Sequence, residues 1–193
     1  MKLIFASRNE NKFLEIEKII PKNIQLGNLN ELNFYDEITE NEETIEGNAT
    51  FKAEFIHSKF GVNVFADDTG LEVEVLNGKP GVHSARFAGI ECNSNKNINK
   101  LLELLKNKKN RKARFKTIIV LIFKQQIYQF EGIVNGEILY KRKGKNGFGY
   151  DSIFKPKGFD KSFAELSIEI KNKISHRAIA MSKLIDFIKE IKS

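Results

Sequence analysis

Apolar residues follow two rhythms along this chain. Short runs at residues 2–6 (KLIFA), 62–66 (VNVFA) and 114–123 (RFKTIIVLIF) have the branched and aromatic content of buried strands. Elsewhere the spacing is helical. Phe13, Ile16, Ile19 and Ile20 share one face until Pro21 stops the repeat. Ala49, Ala53, Ile56 and Phe60 form a second face, closed by Gly61. Ile98, Leu101, Leu102, Leu104 and Leu105 form a third, and Ala178, Met181, Leu184, Ile188 and Ile191 a fourth. Residues 22–38 predict only an irregular strand and loop.

Period-two alternation marks a half-buried strand, with Leu71, Val73 and Val75 opposite Glu72 and Glu74, before a turn at Asn77-Gly78. Residues 127–134 are expected to pair with 137–140 across Asn135-Gly136, a strong hairpin signal. Strands alternating with helices, plus that hairpin, predict an α/β protein with a mixed sheet. No repeat or linker divides residues 1–193, which fit one domain. The run at 62–66 ends against two adjacent carboxylates, Asp67 and Asp68, followed by Thr69-Gly70. The expectation is that the strand gives way to a tight turn there. Successive side chains of an extended segment point to opposite faces, so the acids can share a face only if the strand has ended. One acid would then face a metal and water while the other braces the loop.

Composition changes the picture little. Hydrophobic residues make up 41% of the chain, with 16 Phe, enough for a buried core. The formal charge of +7 is compatible with a nucleic acid, an acidic membrane or a polyanionic small substrate. Lys far outnumbers Arg and Asn is abundant, a bias that an AT-rich coding sequence also produces, so the charge is a weak clue. Cys92, the single cysteine, excludes an internal disulfide framework and fits a reducing compartment. There is no long apolar run and no signal-peptide core at the N-terminus, so a cytoplasmic location and no membrane partner are expected.

Four stretches carry candidate chemistry. Around Asp67-Asp68, the glycine-containing segment 79–81 and Ser84-Ala85-Arg86 add backbone donors, a hydroxyl and a guanidinium. That set suits a divalent cation and a phosphate ester, although the pair alone also reads as an ordinary turn. Ser7 to Lys12 is a strand-to-helix loop whose free backbone N–H groups favour phosphate. It lacks the Gly-rich phosphate-loop pattern, and Asn9 reads equally as a helix cap. The loop KRKGKNGFGYDSIF (141–154) places Phe148 or Tyr150 for stacking on a purine, with Asp151 to accept from a base or fix the loop. Last comes Lys171 with Ser175, His176 and Arg177, where a lone His176 is more often structural than catalytic.

The string ADDTGLEV…GKPGVHSARFAG resembles the signature of the inosine triphosphatase family. S-x-N-x-x-K at residues 7–12, GFGYD at 147–151 and K-x-x-x-S-H-R at 171–177 match that family's other motifs in order. The resemblance implies a long twisted mixed β-sheet flanked by helices, two lobes with a nucleotide cleft between them, and a homodimer. It implies hydrolysis of ITP, dITP and XTP to the nucleoside monophosphate and pyrophosphate. It assigns Asp68 a catalytic role, as general base or water-positioner, and Mg²⁺ to Glu40 and Asp68; Glu40 stands twelve residues before Lys52, as the family's metal Glu does. Substrate contacts fall to Ser7, Asn9, Lys12, Lys52, Thr69, Phe148, Gly149, Tyr150, Asp151, Lys171, His176 and Arg177. Two positions depart from the pattern: Gly47 replaces an acid before Asn48, and Ser152 replaces a Pro. The rival readings are a basic nucleotide- or RNA-binding module without catalysis and a pyrophosphatase of pyrimidine nucleotides. The family reading expects no nucleic-acid partner.

Overall fold

The computed structural model describes residues 1–191. Among them the strands β1 (Lys2–Phe5), β2 (Gln25–Asn28), β3 (Val64–Val73), β4 (Pro80–Gly81), β5 (Lys112–Phe123), β6 (Gln126–Ile138) and β7 (Phe154–Pro156) make one mixed sheet. Its order is β2-β1-β3-β5-β6-β7, with β4 on β3. The helices are α1 (Glu10–Glu17), α2 (Ile45–Phe60), α3 (Ser94–Leu104), α4 (Ile168–Ile174) and α5 (His176–Glu190). This is the mixed, helix-flanked sheet that the pattern predicts. The chain divides into two compact units: residues 1–68, 117–132 and 177 onward form the first, and residues 69–116 and 133–176 the second.

In the first unit β1 pairs in parallel with β2, from Lys2↔Gln25 to Phe5↔Asn28, and with β3 at Ile4↔Val64 and Phe5↔Phe65. Phe5 and Phe65 stack at 4.9 Å inside a core shared with Ile16, Ile119, Met181 and Leu184. Each such buried side chain stabilises the fold by about 1.5–3 kcal/mol, which fixes the end of α1 and the start of β3. Thr44 caps α2 by accepting from the Gly47 N–H at 2.9 Å, and Gly61 closes the helix at φ +65°. A Cβ at Gly47 would lie 2.8 Å from that of Glu42, which accounts for glycine where the family pattern has an acid.

The second unit packs Leu71, Val73, Leu101, Phe115, Phe154 and Phe163 together. β3 pairs antiparallel with β4 at Leu71↔Gly81, and β6 with β7 from Gly136↔Pro156 to Ile138↔Phe154.

Two expectations are corrected. β3 does not end at Ala66: it continues through Asp67, Asp68, Thr69 and Gly70 to Val73. The hairpin turn is not at Asn135-Gly136, since β6 runs unbroken across that pair. The tight turn is Lys124-Gln125, both left-handed at φ +50° and +65°. Gly136 serves a different need: a Cβ there would lie 2.3 Å from the Lys155 carbonyl oxygen across the β6–β7 ladder.

Candidate active site

Because β3 stays extended, Asp67 and Asp68 point apart and meet different partners. Asp67 is wholly buried. Its Oδ1 accepts from Lys12 Nζ at 2.9 Å and its Oδ2 from Arg177 Nε at 3.0 Å. Arg177 gives its Nη1 to Glu15 at 2.5 Å. Burial alone would push the Asp67 carboxyl up, but the Lys12 and Arg177 charges outweigh it and hold Asp67 well below the usual carboxylate range. Asp67 therefore braces helices α1 and α5 rather than its own loop.

Asp68 accepts from Asn48 Nδ2 at 3.2 Å, with Lys52 Nζ 3.8 Å from its other oxygen. Lys52 also donates to Glu40 Oε1, so its ammonium lies between the two carboxylates. Asn48 ties the acidic loop down as well, accepting from the Glu42 N–H at 3.1 Å. Burial pushes the Asp68 carboxyl up, against the Lys52 and Lys12 charges that pull it down. Lys52 is 5% exposed, and burial favours its neutral form, yet Asp68 and Glu40 raise its pKa and keep it charged.

Two carboxylates around one ammonium form a cation site by chemistry. Mg²⁺ is usually held by one or two carboxylates, with phosphate oxygens and water completing its shell. Among the described residues no group of three or more His, Cys, Asp or Glu could hold a metal ion unaided. The pair Glu40 and Asp68 fits a Mg²⁺ that arrives with a polyphosphate.

At the start of α1, Asn9 Oδ1 accepts from the Lys12 N–H at 3.2 Å, and Ser7 Oγ accepts from the Asn9 N–H at 3.2 Å. Asn9 is thus a helix cap as well as a member of the motif. Ser7, Asn9, Phe13, Leu14, Asn28 and Leu29 help line a cavity of about 300 Å³. Arg177, expected on phosphate or base, is 2% exposed and committed to Asp67 and Glu15. Glu15 was not among the residues singled out by sequence, and no local pattern marks it.

In the second unit the base-loop motif is built around Asp151. Its Oδ2 accepts from the Phe148 N–H at 2.8 Å and from Lys171 Nζ at 2.5 Å. A Cβ at Gly147 would lie 2.1 Å from that oxygen, so the motif's first glycine is needed for the close approach. Gly149 sits at φ +58°, which favours glycine there too. Of the two aromatics left open by sequence, Tyr150 is buried and its hydroxyl donates to the Ser84 carbonyl at 2.8 Å. Phe148 is half-buried, with Lys171 Nζ 4.9 Å from its ring centre. His176 is buried and stacks on Phe115 at 4.7 Å. Thr69 is the next residue of β3 after Asp68. Ser84, expected as a hydroxyl for phosphate, is tied down instead: its Oγ accepts from the Leu71 N–H at 2.8 Å and donates to the Gly81 carbonyl at 2.6 Å.

Comparison with known proteins agrees along the whole chain. The Ham1 family model matches residues 3–187. A protein of Flavobacterium johnsoniae named dITP/XTP pyrophosphatase is 52% identical over 192 residues, covering 100% of both chains. One of the same name from Porphyromonas gingivalis is 47% identical over 97% of each. Among solved structures, the Ham1 protein of Staphylococcus aureus superposes with a TM-score of 0.90 at 38% identity, covering 98% of this chain and 99% of its own. The HAM1 protein of Coxiella burnetii gives 0.91 at 34% identity, with the same coverage.

Proposed function

The chain belongs to the Ham1 family, and on that premise we propose that it hydrolyses noncanonical purine nucleoside triphosphates, dITP, XTP and ITP, to the monophosphate and pyrophosphate. The observation that carries the reading is the Lys52 ammonium lodged between Glu40 and Asp68, with the Lys12 ammonium held by the adjoining Asp67. We assign the whole chain to one catalytic domain, working in the cytoplasm as a homodimer. The exposed aromatics Tyr35, Phe51 and Phe55 support a contact face, and an exposed free Cys92 supports a reducing compartment.

Asp68 takes the proton of a water that attacks the α-phosphorus; the new P–O bond forms as the bond to the bridging oxygen breaks and pyrophosphate leaves. Glu40 and Asp68 would hold Mg²⁺, which when bound neutralises charge on the phosphate oxygens. Lys12 and Lys52 supply further positive charge, and Ser7 and Asn9 supply the polar edge of the α1 loop. Asp151 keeps Lys171 and the Phe148 backbone in place, leaving the Phe148 ring as a purine platform, and Thr69, Gly149 and Tyr150 complete the assigned substrate contacts. His176, Lys171 and loop N–H groups serve as donors to a 6-keto oxygen. A 6-amino group would set donor against donor, and such mismatches discriminate by on the order of 10⁴.

The test is a nucleotide panel with Mg²⁺. dITP and XTP are expected to be converted far faster than ATP, with pyrophosphate as the co-product; release of orthophosphate would place the cleavage at a different bond and refute the reading.

The environment of Asp68 yields a second expected result. Its carboxyl protonates more readily than an exposed aspartate because it is buried, and a protonated acid does not bind a cation. Mn²⁺ affinity in the presence of a saturating non-hydrolysable dITP analogue, followed by electron paramagnetic resonance, should fall as pH drops through a midpoint above that of an exposed aspartate. Affinity that holds through that range would contradict a buried acid at the metal.

A further inference from the structure

Glu15 has no role in the reading above, yet it belongs to the same row of charges as Asp67. It lies on α1 three residues after Lys12, a spacing that puts both on one helix face. Its carboxylate takes Arg177 Nη1 at 2.5 Å; Arg177 Nε and Nη2 both reach Asp67 Oδ2 at 3.0 Å; Asp67 Oδ1 takes Lys12 Nζ at 2.9 Å. Anion and cation alternate through four side chains: Glu15, Arg177, Asp67, Lys12. Side-chain exposure is 8%, 2%, 0% and 14% in that order, so the row opens to solvent at Lys12.

We propose that Glu15 is a positioning residue for the triphosphate: it neutralises Arg177 so that the second oxygen of Asp67 stays available to hold the Lys12 ammonium. This rests on the assignment of Lys12 to the substrate's phosphates. Arg177 Nε and Nη2 both lie on Oδ2, while a guanidinium favours both oxygens of a carboxylate. With the Glu15 charge gone, Asp67 faces two cations with one charge. The guanidinium competes for Oδ1, and the flexible lysine loses its anchor.

The experiment is a double-mutant cycle of Glu15→Gln and Lys12→Ala, reading dITP kinetics by pyrophosphate release. Glu15→Gln should raise KM about tenfold while changing kcat less than about twofold. In the Lys12→Ala background the same substitution should leave KM unmoved, because the group it positions is gone. KM does not depend on the folded fraction, so lost stability alone cannot mimic this pattern. If Glu15→Gln fails to fold, Glu15→Asp, which keeps the charge and withdraws it by one methylene, carries the test: an intermediate KM rise, again erased by Lys12→Ala. A KM factor that persists undiminished without Lys12, or no KM change at all, overturns the proposal. If wild-type protein releases no pyrophosphate from dITP, the catalytic reading itself fails. The cycle then runs on calorimetric binding of inorganic tripolyphosphate, with the same two outcomes.

Discussion

Asp68→Asn should reduce dITP turnover by on the order of 10³-fold or more, because it removes both the proton acceptor and half of the carboxylate pair for the metal. The same substitution should leave the melting temperature unchanged or slightly raised. Asn keeps the size of Asp and an oxygen that can accept from Asn48. Burial already disfavours the Asp68 charge, and Lys52 keeps Glu40 as its partner. Activity and stability thus separate, as expected where a site holds a charge that the fold alone would not choose. The assay is kcat by pyrophosphate release beside a thermal melt by circular dichroism. Turnover within tenfold of wild type would remove Asp68 from the base role.

Much of the local structure around this candidate site was legible in the sequence, and what was not has a physical explanation. The β1 strand and the Phe13 and Ile16 positions of the α1 face follow from a change of hydrophobic period, but Glu10 to Lys12, expected in the loop, form the first turn of α1, and Ile19 and Ile20 lie beyond its end at Glu17. The four motifs could be assigned from residue types because each is local. Asp67-Asp68-Thr69-Gly70 misled because its composition is that of a turn. Partners from distant segments keep it a strand: Lys12 and Arg177 on one acid, Asn48 and Lys52 on the next. Without them, adjacent buried carboxylates in mid-strand would be too costly to desolvate. Asn135-Gly136 misled for the opposite reason, since its glycine answers to the approach of Lys155 rather than to a turn. Glu15 was invisible because its partner lies 162 residues away. Phe148 and Tyr150 could not be ranked from the loop alone; the Ser84 carbonyl, 66 residues from Tyr150, draws the tyrosine into the core and leaves Phe148 at the edge.

Asp67→Asn should do the reverse of Asp68→Asn and damage the fold first. It leaves two buried or nearly buried cations facing a neutral amide, and breaking a buried pair from one side costs about 3–5 kcal/mol. That is a large share of a domain's net stability, which is typically about 5–15 kcal/mol. By contrast, the exposed Lys189–Asp186 pair, 66% and 60% exposed, should be worth no more than about 1 kcal/mol. The effect has a pH signature whose sign follows from the charges. Lys12 and Arg177 hold Asp67 below its unfolded-state pKa, so its stabilisation is complete above that pKa and fades as pH falls toward the folded value. Urea unfolding at neutral pH should therefore show the full deficit of Asp67→Asn, and the gap to wild type should narrow in acid. A gap that stays constant with pH would mean that shape rather than charge holds Asp67 in place. Since the row from Glu15 to Lys12 depends on that charge, a constant gap would also remove the physical basis for linking α1, β3 and α5 to the phosphate end of the substrate.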